Sequence, residues 1–135
     1  ISEEEFQNKI QQGDFLEYAH VFKKYYYGTL KCTVEKLRSE NKVVVFDIEV
    51  QGASSIKSIY GDDCITVFIL PPSFDALEKR LRDRKTETNE ALQMRLETAR
   101  EELKQAHTFD YRVTNSVLNQ AFLETETILR DNQCL

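Results

Sequence analysis

Only four glycines occur in the 135 residues, and no G-x-x-x-x-G-K-[ST] stretch is among them. That excludes a complete phosphate-cradling loop from this sequence. Cysteine is sparse too. Cys32, Cys64 and Cys134 are odd in number, far apart and without metal-ligand spacing, so they read as reduced cytosolic thiols rather than as a disulfide framework or a zinc site. No apolar run reaches membrane-spanning length, and no secretory or targeting segment is found. The balance of 18 basic against 23 acidic residues, a net charge of −5, argues against a nucleic-acid surface. His20 and His107 each stand without a nearby nucleophile or metal partner, so both are expected to be structural or exposed. There is no internal repeat, linker or low-complexity segment. The sequence starts at Ile1, and its first residues already read as the middle of a protein, so it is expected to be part of a longer chain. What remains is one domain's worth of ordinary soluble protein, with 41% apolar and 30% charged residues.

The most informative stretch is Val43-Val44-Val45-Phe46-Asp47-Ile48-Glu49-Val50-Gln51-Gly52. Its unbroken β-branched start predicts a strand buried on both faces in a parallel sheet. Asp47 and Glu49 stand two positions apart, so a strand puts both carboxylates on one face at its carboxyl end. Ligands of open α/β sheets bind there. An apolar strand closing on Asp is also the pattern that helps hold magnesium in P-loop phosphotransferases. The alternative is that acidic residues merely stop a core strand.

In chain order, Ser2 and Glu5 form a capping box before a short helix with Phe6 and Ile10, ended by Gly13. Phe15 to Phe22 reads as a strand interrupted by Glu17. Lys23 and Lys24 follow, and then three tyrosines before a Gly28-Thr29 turn. Their rings could pack the strand, or their hydroxyls could face a ligand. Thr29 is expected to cap a helix to Ser39 with Leu30, Val34 and Leu37 on one face. After Gly52 comes a helix over 53–59, then a second apolar strand, Ile65 to Leu70. Two strands joined by a helix predict a βαβ unit. Pro71-Pro72 ends that strand and Ser73 caps a helix from Phe74 to Arg84.

The helix closes in a basic patch, Lys79 to Lys85, which reads either as a solvated helix end or as an anion grip. A long helix over 90–105 carries the stripe Leu92, Leu96, Ala99 and Leu103, with Arg95 off it. A strand over 110–115 ends in Asn115, and a terminal helix presents Leu118, Phe122, Thr125 and Leu129 on one face.

These segments together resemble guanylate kinases. The resemblance rests on Phe15-Leu16-Glu17, Tyr27-Gly28-Thr29, Asp47-Ile48-Glu49-Val50-Gln51-Gly52, Phe68-Ile69-Leu70-Pro71-Pro72-Ser73, Arg80-Leu81-x-x-Arg84-x-Thr86 and Asn115. It covers essentially the whole chain. It implies an α/β fold of the P-loop NTPase kind, a parallel sheet with flanking helices. A small GMP-binding part over about 1–40 and a helical lid over 79–105 would stand on a core of 41–78 and 106–135. The first strand and P-loop would be missing from this single domain. The implied activity is transfer of the γ-phosphoryl of ATP to GMP, with magnesium, in the cytoplasm.

By the same resemblance, Glu17 and Glu49 read guanine, Thr29 stands beside them and Tyr27 bonds the GMP phosphate. Asp47 lies near magnesium, directly or through a water. Arg80, Arg84 and Arg95 neutralise the moving phosphoryl as the catalytic arginines, with Arg84 also on ATP, and Asn115 lies near the adenine. The partners are GMP and ATP, with neither nucleic acid nor membrane, and the chain is expected as a monomer or weak homo-oligomer.

The sequence departs from the family in three places. Glu49 stands where many members have Asp, Lys85 replaces a common glycine, and the segment from Glu17 to Gly28 is one residue longer, so Tyr26 could take the place of Tyr27. Residues 1–135 alone are not expected to transfer phosphate. Two rivals are a silent interaction module that binds phosphopeptides and a kinase for another monophosphate. Retention of Asp47, Glu49, Arg80 and Arg84 disfavours the first. The paired acids disfavour the second, because adenine offers no N1–H to meet them.

Overall fold

The chain folds as two compact units, Ile1–Cys64 and Ile65–Leu135. The computed structural model describes residues 1–21, 24–84 and 88–135, with Val21 described for its backbone alone. Phe22 and Lys23, and the lid positions Lys85, Thr86 and Glu87, lie outside the described residues.

In the first unit, helix α1 (Glu3–Gln12) opens on the expected capping box: Ser2 Oγ accepts from the Glu5 amide while Glu5 Oε2 accepts from the Ser2 amide at 2.7 Å. Gly13 ends it in the left-handed region, φ +71°, where glycine has no Cβ penalty. Strands β1 (Phe15–Val21) and β2 (Tyr25–Leu30) then pair antiparallel, with a bulge after Phe15. Gly28 and Thr29 lie within β2, not in a turn. A Cβ on Gly28 would stand 2.8 Å from Phe15 Cδ1 and 2.9 Å from the Glu17 carbonyl oxygen, so the close approach of the two strands admits only glycine.

Helix α2 (Lys31–Ser39) starts from Leu30 without a side-chain cap. Thr29 does not cap it, because its hydroxyl donates to Glu17 instead. Helix α3 (Val50–Tyr60) begins before Gly52, not after it, and ends at Gly61.

The segment between α2 and α3 corrects the sequence reading. Residues 42–49 carry neither helix nor ladder, and their burial alternates with the period of two of a pleated chain. Val44, Phe46 and Ile48 pack on the core of Leu16, Val34 and Ile56, while Val43 and Val45 are 54% and 79% exposed. A strand buried on both faces needs neighbours on both edges, and among the described residues none hydrogen-bonds here.

In the second unit the parallel ladder joins β3 (Val67–Leu70) to β4 (Tyr111–Thr114), from Val67 opposite Tyr111 to Leu70 opposite Thr114. The parallel pair therefore lies here, and not between residues 43–50 and 65–70 as expected. Thr66 and Asp110 clamp its start: Asp110 Oδ2 accepts from the Thr66 amide at 2.9 Å and from its hydroxyl at 3.1 Å, and the Asp110 amide donates back to that hydroxyl at 3.0 Å.

The crossover contains α4 (Phe74–Asp83), capped by Ser73, and α5 (Asn89–Leu103), capped by Thr88. Leu92 and Leu96 are buried as expected, and Arg100 lies over the Phe74 ring at 4.6 Å. Helix α6 (Leu118–Asp131) buries a face that shares Thr125 and Leu129 with the expected one but not Leu118 and Phe122. Ala121 is its buried contact, with Thr125, Ile128 and Leu129 half-buried, while Leu118 and Phe122 are 73% and 68% exposed. The small alanine allows that face the closer approach.

Candidate functional site

Strand pairing gives the β1–β2 hairpin two unlike faces. One is aromatic: Phe15, Tyr18, His20 and Tyr26 gather with Phe6 of α1, and the His20 and Tyr26 rings stack at 4.1 Å with 3° between their planes. The other face carries Glu17 opposite Thr29 and Ala19 opposite Tyr27. It forms one wall of a cavity of about 420 Å³, also lined by Gly28, Asp47, Ile48 and Glu49.

The cavity thus brings together five of the side chains singled out in the sequence, Glu17, Tyr27, Thr29, Asp47 and Glu49. It also separates the adjacent tyrosines. Tyr27 faces the cavity and is 60% exposed, whereas Tyr26 is held on the aromatic face.

Glu17 is the most constrained of the acids. Its Oε1 accepts from the Thr29 hydroxyl at 2.6 Å, which fixes the rotamer and leaves acceptor capacity for a ligand. A Cβ on Gly52 would lie 3.4 Å from Glu17 Oε2, so the first turn of α3 comes within van der Waals reach of the carboxylate. Glu49 occupies the N-cap position of α3 without bonding its amides, which leaves its carboxylate to the cavity wall.

Asp47 and Glu49 keep the i, i+2 relation even without a ladder, since a pleated backbone suffices. Among the described residues no three acids, histidines or cysteines converge closely enough to cage a metal ion. The three carboxylates are therefore spread along the wall, and suit a ligand with donors at several points. A single wall carboxylate is still compatible with magnesium, which takes one or two carboxylates and fills its octahedron with phosphate oxygens and water.

The remaining residues lie in the second unit. Arg80 and Asn115 come together: both terminal nitrogens of Arg80 donate to the Asn115 carbonyl, at 3.0 and 3.1 Å, while the Asn115 amide donates to Leu70 at 2.7 Å. Arg84 is exposed at the end of α4, and Arg95 is half-buried on α5. His20 stacks on Tyr26, and His107 Nδ1 bonds the Lys104 carbonyl at 2.8 Å, so each histidine has a structural partner. Sequence reasoning missed Ala19, Gly28 and Ile48 as lining residues. Ala19 was within reach of it, two positions from Glu17 on the same strand.

Comparisons with known proteins bear on this arrangement. The sequence profile of the guanylate kinase family matches residues 1–132. A guanylate kinase from Porphyromonas gingivalis is 45% identical over 118 residues, spanning 87% of this chain and 63% of the relative. One from Salinibacter ruber is 44% identical over 130 residues, spanning 96% of this chain and 69% of the relative. The chain thus spans roughly two thirds of the curated relatives it matches. The crystal structure of guanylate kinase from Anaplasma phagocytophilum superposes with a TM-score of 0.78 over the whole chain and 64% of that protein, at 24% identity, a likeness of fold.

Proposed function

The chain belongs to the guanylate kinase family, and from that premise we propose that the protein transfers the γ-phosphoryl group of ATP to GMP. The observation that carries the reading is the cavity lined by Glu17, Tyr27 and Thr29 of the hairpin together with Glu49. Guanine offers N1–H and N2–H donors on one edge, and the Glu17 and Glu49 carboxylates are the acceptors that meet them. Bases without those donors leave the acids unpaired and are rejected. Thr29 orients Glu17, and the Tyr27 hydroxyl donates to the phosphate of GMP.

Asp47 is the side chain that would hold magnesium, whose charge neutralises the phosphate oxygens when it is bound. Arg80, Arg84 and Arg95 supply the guanidinium groups that stabilise charge on the transferring phosphoryl, the larger part of catalysis in this reaction class. Asn115 serves the adenine end of ATP. No phosphate-cradling loop occurs in the 135 residues, so these residues are proposed to bind GMP, and a chain that also carries such a loop to perform transfer. We assign residues 1–135 to one guanylate-kinase-like domain that works in the cytoplasm, as a monomer or weak homo-oligomer. No helix among the described residues is long and apolar enough to cross a membrane.

Titrating GMP and AMP into the 135-residue chain tests the base reading. GMP binds and AMP does not, and Glu17→Gln weakens GMP binding roughly 10- to 100-fold through loss of a charged acceptor, with thermal unfolding unchanged. AMP binding as tight as that of GMP overturns the assignment.

A further inference from the structure

The two adjacent tyrosines of β2 show what the cavity requires at one further position. Tyr26 stands opposite His20 and is clamped by it in a parallel stack. Tyr27 stands opposite Ala19, a methyl group, and remains 60% exposed. Directly opposed side chains have Cβ atoms about 5 Å apart, so a larger group at position 19 would meet the Tyr27 ring and fill the space beside it. Alanine is also a poor choice for the middle of a strand flanked by Tyr18 and His20, where β-branched or aromatic residues are favoured. Gly28, the other small lining residue, is explained by packing, since a Cβ there would collide with Phe15. A local preference broken at a position that lines the cavity points to function.

We infer that Ala19 is a specificity-determining residue of the cavity. It keeps Tyr27 unstacked and preserves the room that a nucleoside phosphate needs beside it, at the end of the wall away from the Glu17–Thr29 pair. This rests on the guanine-nucleotide reading above and adds the position that separates a nucleotide from its nucleoside. Replacing Ala19 by histidine reproduces on the site face the ring pair already present on the aromatic face. Replacing it by valine fills the same space with a better strand former.

The probes are GMP and guanosine, each titrated calorimetrically into the 135-residue chain and its Ala19→His, Ala19→Val and Ala19→Ser variants. Ala19→His and Ala19→Val lower GMP affinity about tenfold or more, the scale on which added bulk discriminates in a pocket. Guanosine affinity stays within about twofold, because the base-reading acids are untouched. Ala19→Ser keeps GMP binding, and all three variants unfold at the temperature of the unsubstituted chain. GMP binding indifferent to His and Val at position 19 overturns the inference, and so does an equal loss of guanosine. Failure of the unsubstituted chain to bind either probe is a different result, which sinks the guanine reading together with the inference.

Discussion

Residues 43–48 and 65–70 are mostly apolar stretches of equal length, both rich in valine and isoleucine, and each precedes a helix. In the second run Val67–Leu70 finds β4, Thr66 and Asp110 clamp the beginning of the ladder, and Asn115 closes its end on the Leu70 carbonyl. The first run has no ladder among the described residues. It is held by packing on one side only, through Val44, Phe46 and Ile48. Even β3, paired along one edge, leaves Ile69 51% exposed. Composition therefore specifies an extended conformation, while hydrogen-bond partners far away in sequence decide how deeply it is buried.

Substitution should separate the two regions most strongly at their valines. Val113, 1% exposed on β4, is expected to cost roughly 2–3 kcal/mol when changed to alanine, through lost burial and the cavity left behind. Val45→Ala, at a site 79% exposed, should stay within about 0.5 kcal/mol. Urea denaturation measures both, and equal losses would break the comparison by showing residue 45 buried in solution. A smaller effect follows from the clamp. Asp110→Ala removes the acceptor of two Thr66 bonds and should cost about 1 kcal/mol, again by denaturation, with GMP affinity unchanged.

The smallest effect is electrostatic and belongs to the region of the unpaired run. Tyr60 packs on the same core as Val44 and Phe46, and its hydroxyl donates to Glu35 at 2.7 Å. That bond, with a further contribution from Arg38, holds the Glu35 carboxyl below its ordinary value of 4.5. A carboxyl lowered by folding stabilises the fold above its unfolded value, and the stabilisation is lost as pH falls through the folded one. Acidification below about 4.5 should therefore weaken the first unit slightly more in the native chain than in Glu35→Gln. Superimposable acid-unfolding curves would show that the exposed bond contributes nothing.

Much of this arrangement was legible because its causes are local. Ser2 with Glu5, Gly13 and Ser73 marked helix ends through bonds that span four residues or fewer. The i, i+2 spacing alone put Asp47 and Glu49 on one face, whereas Glu17, Tyr27 and Thr29 were joined to them by the resemblance to guanylate kinases. The misreadings are non-local. Thr29 as a helix cap was chemically reasonable, yet Glu17, twelve positions back, offers a charged acceptor. The buried face of α6 turns on Ala121, whose small size carries little weight in a hydrophobic pattern that Leu118 and Phe122 dominate. The contact of Arg80 with the Asn115 carbonyl, 35 positions away, was likewise out of reach of a local reading.

The openness of Tyr27 has an optical consequence. The sequence contains no tryptophan and six tyrosines, so ultraviolet emission from this protein comes from phenol rings with nothing to mask them. Tyr26 lies face to face with the His20 imidazole. Tyr27 has only a methyl group across from it, and a ligand entering the cavity changes its surroundings directly. Occupancy can thus be followed by light without attaching a dye.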